Sequence, residues 1–503
     1  MVMSSSRHDD AGSGSPASPA ARWAFLGIIS AGLFLIAIDN SVLYTALPVL
    51  RVELGASELQ NLWILNAYPL VMSGLLLGTG TLGDKLGHRK MFLIGLVVFT
   101  AASLLAAFSP EAWFLVAARV LLGFGAATMM PATLALIRQT FVDSHELSIA
   151  IGVWAGVATA GAAAGPVLGG LLLEHFWWGS IFLINVPIAL LAILGVILFA
   201  PPNVANPYKK WDLRSSALAL VALTGLTMTI REAANPNRNL WLLAVSVLAA
   251  ILGGVAFARR QRRLDDPLLT FDIFRNPLFL GGTITAIGGQ FVTAGMALLT
   301  TQRFQLAGGF SPLQVGSMAL ISAVAAIPFS LSGGALLDRL GFRTLITGGF
   351  VLMAAGVTGM TGFFLAGWMP GFLASIAFVG AGAGAAMSVS STAIVGAAPR
   401  HRAGMASGVE EVSYEFGHLT AVSVVGSLLP LAFVTVGRIM GHSLPANAAD
   451  ALADPALHDQ AAGAYDGAYA ALLAAIVAIA LVLAALTAWF FRGNPTSKDL
   501  VNE

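Results

Sequence analysis

The chain has 503 residues, of which 57% are hydrophobic and only 10% are charged. Soluble domains carry about 25% charged residues, so this sequence cannot cover a water-soluble surface and much of it must face lipid. The net charge of +1 gives no general attraction to nucleic acid. Because the chain contains no cysteine, disulfides, thiolate nucleophiles and cysteine-based metal sites are excluded.

Residues 1–21 are rich in Ser, Ala, Gly and Pro and predict a disordered tail. The apolar run that begins near Trp23 is too long for a signal-peptide core, so it predicts a retained helix. A membrane span needs roughly 20 apolar residues. Fourteen runs approach or exceed this length, and they lie near 23–46, 60–82, 91–108, 112–137, 148–172, 180–200, 215–231, 240–258, 278–302, 313–336, 344–365, 369–397, 404–434 and 467–491.

The basic residues are distributed unevenly over the connections between these runs. With the N-terminus in the cytoplasm, 20 of the 26 Lys and Arg residues fall on the cytoplasmic side, 5 fall on the opposite side and Arg119 lies within the fourth run. Cytoplasmic loops of membrane proteins carry an excess of Lys and Arg. The pattern therefore predicts a multi-pass protein of the cytoplasmic membrane with both termini in the cytoplasm.

One loop motif occurs twice, at an offset of 254 residues. The shared positions are a Gly, an Asp followed by a base, a second Gly and an Arg: Gly80, Asp84, Gly87 and Arg89 in the first copy, Gly334, Asp338, Gly341 and Arg343 in the second. Glycine permits a tight turn, and the Asp can cap a helix or pair with the Arg. A single copy would be explained as a favourable turn. Two copies at equivalent places predict a gating latch between helices in duplicated halves.

Together with this loop, three further strings carry a resemblance to a known family. They are Arg119-Val-Leu-Leu-Gly-Phe-Gly125 in the fourth run, Gly161-Ala-Ala-Ala-Gly165-Pro166-Val-Leu-Gly169-Gly170 in the fifth, and Asp39-Asn-Ser-Val-Leu-Tyr-Thr-Ala-Leu-Pro48 in the first. Phe182-Leu-Ile-Asn185-Val-Pro187 is a further string common in the family. The chain resembles the major facilitator superfamily over nearly its whole length, specifically its fourteen-helix drug:proton antiporters, including exporters of quaternary ammonium compounds, dyes and fluoroquinolones.

The resemblance implies an all-α integral membrane fold with two six-helix bundles and two inserted helices. The corresponding division is a tail at 1–21, an N-terminal bundle at 22–200, a linker with the inserted helices at 201–276, a C-terminal bundle at 277–492 and a tail at 493–503. A long extracytoplasmic loop at 437–466 falls within the second bundle, and its role as a cap or a tether stays open. The implied function is efflux of lipophilic cationic drugs by a monomer, driven by protons and without a cofactor or metal.

Two charged residues stand out in the N-terminal half. Arg119 lies inside an apolar helix, where a charge costs about 2.5 kcal/mol or more. It either pairs with polar groups only to hold helices together or, as the resemblance implies, supports proton coupling. Asp39 is the single acid of its run, and burial would let it exchange a proton near neutrality or attract a cation. The alternative for Asp39 is a hydrogen bond that only packs helices.

Gly161, Gly165 and Gly169 recur at a spacing of four, so they share one helix face and allow a close helix approach. Pro166 removes a backbone hydrogen bond and favours a kink. Together with Gly170 these residues form the family's antiporter motif. We expect them to act through packing, as a tight interface that can part.

The thirteenth run carries Glu410, Glu411, Tyr414, Glu415 and His418. Glu411 and Glu415 are i,i+4 neighbours on one face, and Glu410 and Tyr414 form a second pair about 100° away. Clustered carboxylates cannot all ionise at low cost, so at least one should hold a proton until a cation displaces it. Placement of the acids among lipid headgroups is the alternative, but Glu415 lies roughly 18 Å along the helix from residue 403, which argues against it.

A polyspecific cation site also needs aromatic surface, and Trp63, Asn66 and Tyr68 in the second run are candidates to line a cavity. Related exporters often carry an acid near the position of Asn66, so this chain departs from them there.

A metabolite or nutrient symporter of the same fold is the main alternative function. A membrane enzyme is disfavoured because the sequence contains no Walker A loop, no HExxH string and no serine nucleophile elbow. A channel or receptor would not need a duplicated latch loop.

Overall fold

The computed structural model describes residues 19–208, 212–234, 238–264, 267–399, 402–445, 448–493 and 495–496. The sequence predicts tails at 1–21 and 493–503. Residues 19–21 are not a tail, because α1 already begins at Pro19. Residues 1–18, 494 and 497–503 lie outside the described range. Every regular element of the described residues is helical. The first half contains α1 Pro19–Glu53, α2 Glu58–Leu86, α3 His88–Ala107, α4 Ala112–Thr140, α5 Ser144–His175, α6 Ser180–Leu183 and α7 Asn185–Phe199. Two helices follow, α8 Leu213–Ala234 and α9 Leu240–Gln261.

The second half contains α10 Pro277–Gln302, α11 Pro312–Leu365, α12 Met369–Ala397, α13 Ala403–Ile439, α14 Ala448–Ala453 and α15 His458–Phe490. A short 3-10 helix, Phe271–Arg275, precedes α10, and a π-helix, Arg303–Ala307, follows it. Prolines at the first or second position start α10, α11 and α12, where the missing N–H needs no partner.

Twelve described helices are long and apolar enough to cross a membrane, or thirteen when the bent α2 is included. Among them α11 has 54 residues, roughly 80 Å of helix, which far exceeds the ~30 Å apolar core of a bilayer. Gly341 interrupts α11 with non-helical dihedral angles. We therefore propose two spans in α11, which brings the number to the predicted fourteen.

The apolar core has two large parts. One is built from α1 to α7 and includes Phe25, Phe92 and Phe182; the other is built from α10 to α15 and includes Phe304, Phe350 and Phe433. A smaller cluster joins α8 and α9 to the second half through residues such as Ala219 and Met405. Each half therefore buries its own apolar surface, which is the main source of its stability.

Helix α13 lies where the parts meet. It packs against α10, α12 and α15 in its own half and also against α2, α4 and α8. Its approach to α10 is so close that a Cβ on Gly417 would overlap the carbonyl of Ile287. The acids of α13 are consequently carried by a helix that contacts both halves.

Two side chains also bridge the halves at the side predicted to be cytoplasmic. Arg138 near the end of α4 donates a hydrogen bond of 3.0 Å to the carbonyl of Val395 on α12. Ser330 on α11 donates one of 3.2 Å to the carbonyl of Gly152 on α5. The halves are thus in contact on this side.

The duplicated loop has the same backbone in both copies. Gly87 has φ +90° and Gly341 has φ +74°, a region that only glycine enters without strain. Each glycine separates two helices at the position where the motif predicts a turn. At the first copy, Gly87 itself is the N-cap residue of α3 and has no side chain with which to cap the helix.

The segment 437–466 contains α14, whose Ala451 is fully buried in the core of the second half. The His458 ring is 2.8 Å from the carbonyl of Leu452, which ties α14 to the start of α15. At the end of the segment, Asp466 receives two hydrogen bonds from Arg303. The described part of this segment is therefore folded against the second half.

Candidate functional site

A buried ion pair lies at the centre of the first half. Arg119 on α4 donates from Nη1 to Oδ2 of Asp39 on α1 at 2.6 Å, and neither side chain has any exposed surface. Arg119 also donates from Nε to the carbonyl of Ile64 on α2 at 3.1 Å. The pair thereby joins α1, α2 and α4. This is the arrangement expected from the alternative in which Arg119 pairs with polar groups and holds helices together.

The second oxygen of Asp39 is also occupied. The Asn185 amide at the start of α7 donates to Oδ1 at 2.8 Å and lies 3.3 Å from the hydroxyl of Ser103 on α3. Asn185 and Ser103 were not assigned a role from the sequence. Asn185 is the one strongly polar residue of the apolar run 180–200, and that isolation is the signal that points to a buried partner.

A glycine on α4 makes this geometry possible. A Cβ on Gly123 would lie only 2.6 Å from the carbonyl oxygen of Tyr68, so α4 and α2 approach at backbone distance. This approach places the Arg119 guanidinium 4.6 Å from the centroid of the Tyr68 ring. Tyr68 is fully buried beneath Arg119, whereas Trp63 and Asn66, the other predicted cavity residues, are half-buried.

The glycine face of α5 packs on the part of α1 that carries Asp39. An added Cβ would lie 2.8 Å from Ala37 at Gly161 and 2.7 Å from Val42 at Gly169, and at Gly165 it would overlap Ser41. These contacts confirm the predicted close approach. Gly170 differs from the other three because a Cβ there meets nothing within 4 Å. Pro166, inside α5, faces Gly316 of α11 in the second half.

The acids of α13 have a different environment. Glu410 has no exposed surface and Glu411 is 2% exposed. Each of Glu410, Glu411 and Glu415 has one buried carboxylate oxygen without a hydrogen-bond partner among the described residues, as does Nε2 of His418. An ionised carboxylate in that condition would be costly, so a proton or a cation must compensate it.

The two predicted faces of α13 are distinct in the structure. Tyr414 donates to Oε1 of Glu410 at 3.2 Å, and its hydroxyl is 3.4 Å from the carbonyl of Met387 on α12. Glu411 and Glu415 lie on a different face of α13, and α13 as a whole also packs against α2. In the described chain, no group of three or more His, Asp and Glu residues is arranged to hold a metal ion.

The predicted latch loop makes contacts within its own half. Arg89 donates to the carbonyls of Val196, Ile197 and Pro201, at the end of α7 and just beyond it. Oδ1 of Asp84 lies 3.1 Å from Nε2 of His88. The described contacts of this loop therefore fasten α2 and α3 to the end of the first half.

A cleft of about 400 Å³ lies between α1 and α5 and is lined by residues including Trp23, Phe34 and Val157. It contains none of the buried acids. The Asp39–Arg119 pair and the acids of α13 lie elsewhere in the protein.

The family model for the Major Facilitator Superfamily matches residues 29–409. The chain belongs to this superfamily. A solved structure with the same fold, that of the human organic anion transporter MFSD10 (TETRAN), aligns with a TM-score of 0.59 at 15% identity and covers 92% of this chain and 99% of its own. The predicted all-α facilitator fold and the multi-pass transporter class are confirmed.

Several curated members of the superfamily are similar over most of their length. The methyl viologen resistance protein SmvA of Salmonella typhimurium is 37% identical over 414 residues, 82% of this chain and 83% of its own. The multidrug efflux pump LfrA of Mycolicibacterium smegmatis is 35% identical, with 82% and 81% covered. The tetracenomycin C resistance and export protein of Streptomyces glaucescens is 31% identical, with 85% and 80% covered. These superfamily relatives are drug-resistance and efflux proteins.

Proposed function

We propose that the protein is a proton-coupled multidrug antiporter that exports lipophilic cations, among them quaternary ammonium compounds, dyes and fluoroquinolones, by alternating access. The observation that carries the proposal is the set of three acids on α13, each with one buried carboxylate oxygen that has no hydrogen-bond partner among the described residues. Such an acid is stable when protonated or when a cation replaces the proton. The resistance and efflux proteins among the relatives support the same direction of transport.

In the proposed cycle, a cation enters from the cytoplasm or the inner leaflet and displaces a proton from Glu411 or Glu415. Asp39 is the third candidate, but both of its oxygens are already bound, so it acts with Arg119 in coupling. Glu410, Tyr414 and His418 complete the polar lining, with Trp63 and Asn66 as aromatic and polar contacts. The protein works as a monomer in the cytoplasmic membrane, with two six-helix bundles and the α8–α9 insertion as its parts.

Transport by the purified protein in proteoliposomes tests the proposal, with methyl viologen and ethidium as probes. An inside-acidic pH gradient should drive uptake of the probe in exchange for outward proton flow, and an inside-alkaline gradient should drive its release. Each probe should also move protons across the membrane of an otherwise equilibrated vesicle. Probe accumulation in the same direction as proton flow would indicate the symporter alternative. A rate and extent of probe uptake that did not change with the pH gradient would exclude proton coupling.

A further inference from the structure

The inserted helices α8 and α9 form a hairpin whose two ends on the side predicted to be cytoplasmic are bonded to each other. Arg260 on α9 donates to both carboxylate oxygens of Asp212, at 2.8 and 3.0 Å. Gln261 donates to the hydroxyl of Ser215 at 2.7 Å, and α8 and α9 approach at backbone distance at Gly253. The charge of Arg260 is therefore compensated inside the hairpin, which provides a fixed support for the residues around it.

Three further arginines at this end of α9, Arg259, Arg262 and Arg263, are exposed. In the described part of the chain, no hydrogen bond or ion pair joins any of them to another side chain. Arg262 keeps helical dihedral angles, and the amide of Arg263 donates to the carbonyl of Arg260 at 3.0 Å, so the helical turn continues through both. Residues spaced by three and four are neighbours on a helix. The three side chains thus lie on one side of α9, away from Asp212.

The same side of α9 is apolar and exposed along the membrane span. Four large side chains there are between 42% and 64% exposed, namely Leu248, Ile251, Leu252 and Val255. At 100° per residue, these four and the three arginines fall within an arc of roughly 120°. The buried residues of α9, such as Gly253 and Phe257, lie on the opposite side.

The length of this apolar stripe matches one leaflet of a bilayer. From Leu248 to Arg259 the helix rises roughly 16 Å, about half of the ~30 Å apolar core. One face of α9 therefore offers apolar contacts through a single leaflet and ends in three guanidinium groups. Guanidinium groups present paired donors that suit the oxygens of a phosphate.

Two ordinary explanations account for positive charge at this place. Basic residues favour the cytoplasmic side of a span, and cations are stabilised near the C-terminus of a helix. Neither explanation requires the arginines to share the lipid-facing side. The local charge is also positive overall, because residues 209–214 and 259–266 contain seven basic and three acidic residues, including Asp265 and Asp266, which lie outside the described residues.

We propose that this face of α9 is a binding site for a phospholipid with a negatively charged headgroup, from the leaflet on the side predicted to be cytoplasmic. Its acyl chains lie along the apolar stripe, and its phosphate is held by Arg259, Arg262 and Arg263. The proposal does not depend on the transported substrate. Since α8 packs against α2 and α13, the lipid is bound to an element that contacts both halves. A ligand that binds the folded protein raises its melting temperature.

Purified protein in detergent tests the proposal, with phosphatidylglycerol and phosphatidylcholine of identical acyl chains as probes. Native mass spectrometry measures lipid binding, and thermal melts measure stabilisation. The wild-type protein should bind phosphatidylglycerol more tightly and melt at a higher temperature with it. The double variant Arg262→Gln with Arg263→Gln should bind phosphatidylglycerol about thirtyfold more weakly, because each basic residue near a membrane surface contributes roughly fivefold. Arg259→Gln alone should lose about fivefold.

The matched control is Arg238→Gln with Arg438→Gln, which removes the same charge from two exposed arginines on the opposite side. It should bind phosphatidylglycerol within about twofold of wild type, since charges farther away than a Debye length of about 10 Å are screened. Undiminished binding by the Arg262–Arg263 variant would overturn the proposal. An equal loss in the control would also overturn it, because the attraction would then be general. Stabilisation by glycerol phosphate equal to that by phosphatidylglycerol would show a site for a soluble phosphate instead of a lipid.

Discussion

Nη1 of Arg119 lies 2.6 Å from Oδ2 of Asp39, and both side chains are fully buried although 80 residues separate them in the chain. A buried pair of this kind gains its attraction in a medium that screens charges poorly, but it also loses the hydration of both ions. Removing one charge therefore leaves the other buried without a counter-charge, and the resulting loss of stability can be measured.

Asp39→Asn should destabilise the protein by about 3–5 kcal/mol, because it leaves the Arg119 charge buried and unpaired. The double variant Asp39→Asn with Arg119→Gln removes both charges and should recover part of the loss in melting temperature. Neither the single nor the double variant should carry out proton-coupled exchange. A single variant that melts at the wild-type temperature would contradict the interpretation of the pair as mutually dependent.

Gly165→Ala should impair transport and lower the melting temperature, because its Cβ would overlap Ser41 and force α5 away from α1. Gly170→Ala is the control, since the same methyl group there enters open space and alanine favours a helix. Transport assays and thermal melts of both variants decide the matter. Equal transport by the two would show that the close α1–α5 approach has no part in exchange.

Glu415→Gln should abolish substrate-evoked proton release while leaving the melting temperature close to that of the wild-type protein. The reason is that its unpaired oxygen makes no bond that the fold requires. Glu410→Gln gives a comparison, because the Tyr414 hydroxyl can still donate to the amide oxygen. We expect Glu410→Gln to retain more exchange than Glu415→Gln. The reverse order would move the proton site to the α12 side of α13.

Asp212, just before the span of α8, supports a prediction about pH. Partial burial opposes its ionisation, but hydrogen bonds from Arg260 and Ser215 hold its pKa at about 2, below the ordinary 3.8. A lowered pKa stabilises the fold above the unfolded value, and this stabilisation disappears as the pH falls through the folded value. Asp212→Asn should therefore lower the melting temperature equally from pH 8 to pH 5. If the difference in melting temperature between the wild-type protein and Asp212→Asn became smaller between pH 8 and pH 5, the lowered pKa of Asp212 would be contradicted.

Local spacing predicted the features that depend on neighbouring residues. The i,i+4 pair of Glu410 and Tyr414 is hydrogen-bonded, and the shared face of Gly161, Gly165 and Gly169 contacts α1. The duplicated turn has positive φ at both Gly87 and Gly341. These outcomes follow from helix periodicity and from the conformational range of glycine.

Features that depend on distant segments could not be predicted in the same way. Asn185 reaches Asp39 across 146 residues, and no local pattern encodes that bond. Gly170 satisfies the motif but points away from α1, which depends on the rotation of α5 in the assembled bundle. Arg89 bonds carbonyls at the end of α7, a partner that exists only after the first half has folded.

The two copies of the turn share one more property. Arg89 is fastened to the chain that follows α7, and the amide of Phe342 donates at 2.9 Å to the carbonyl of Pro495, which follows α15. In each half, the turn after the second helix is thus hydrogen-bonded to the chain that follows the last helix. A rotation of one half against the other would leave both of these bonds in place. The bonds that must change are those between the halves, together with the conformation of the chain that connects them.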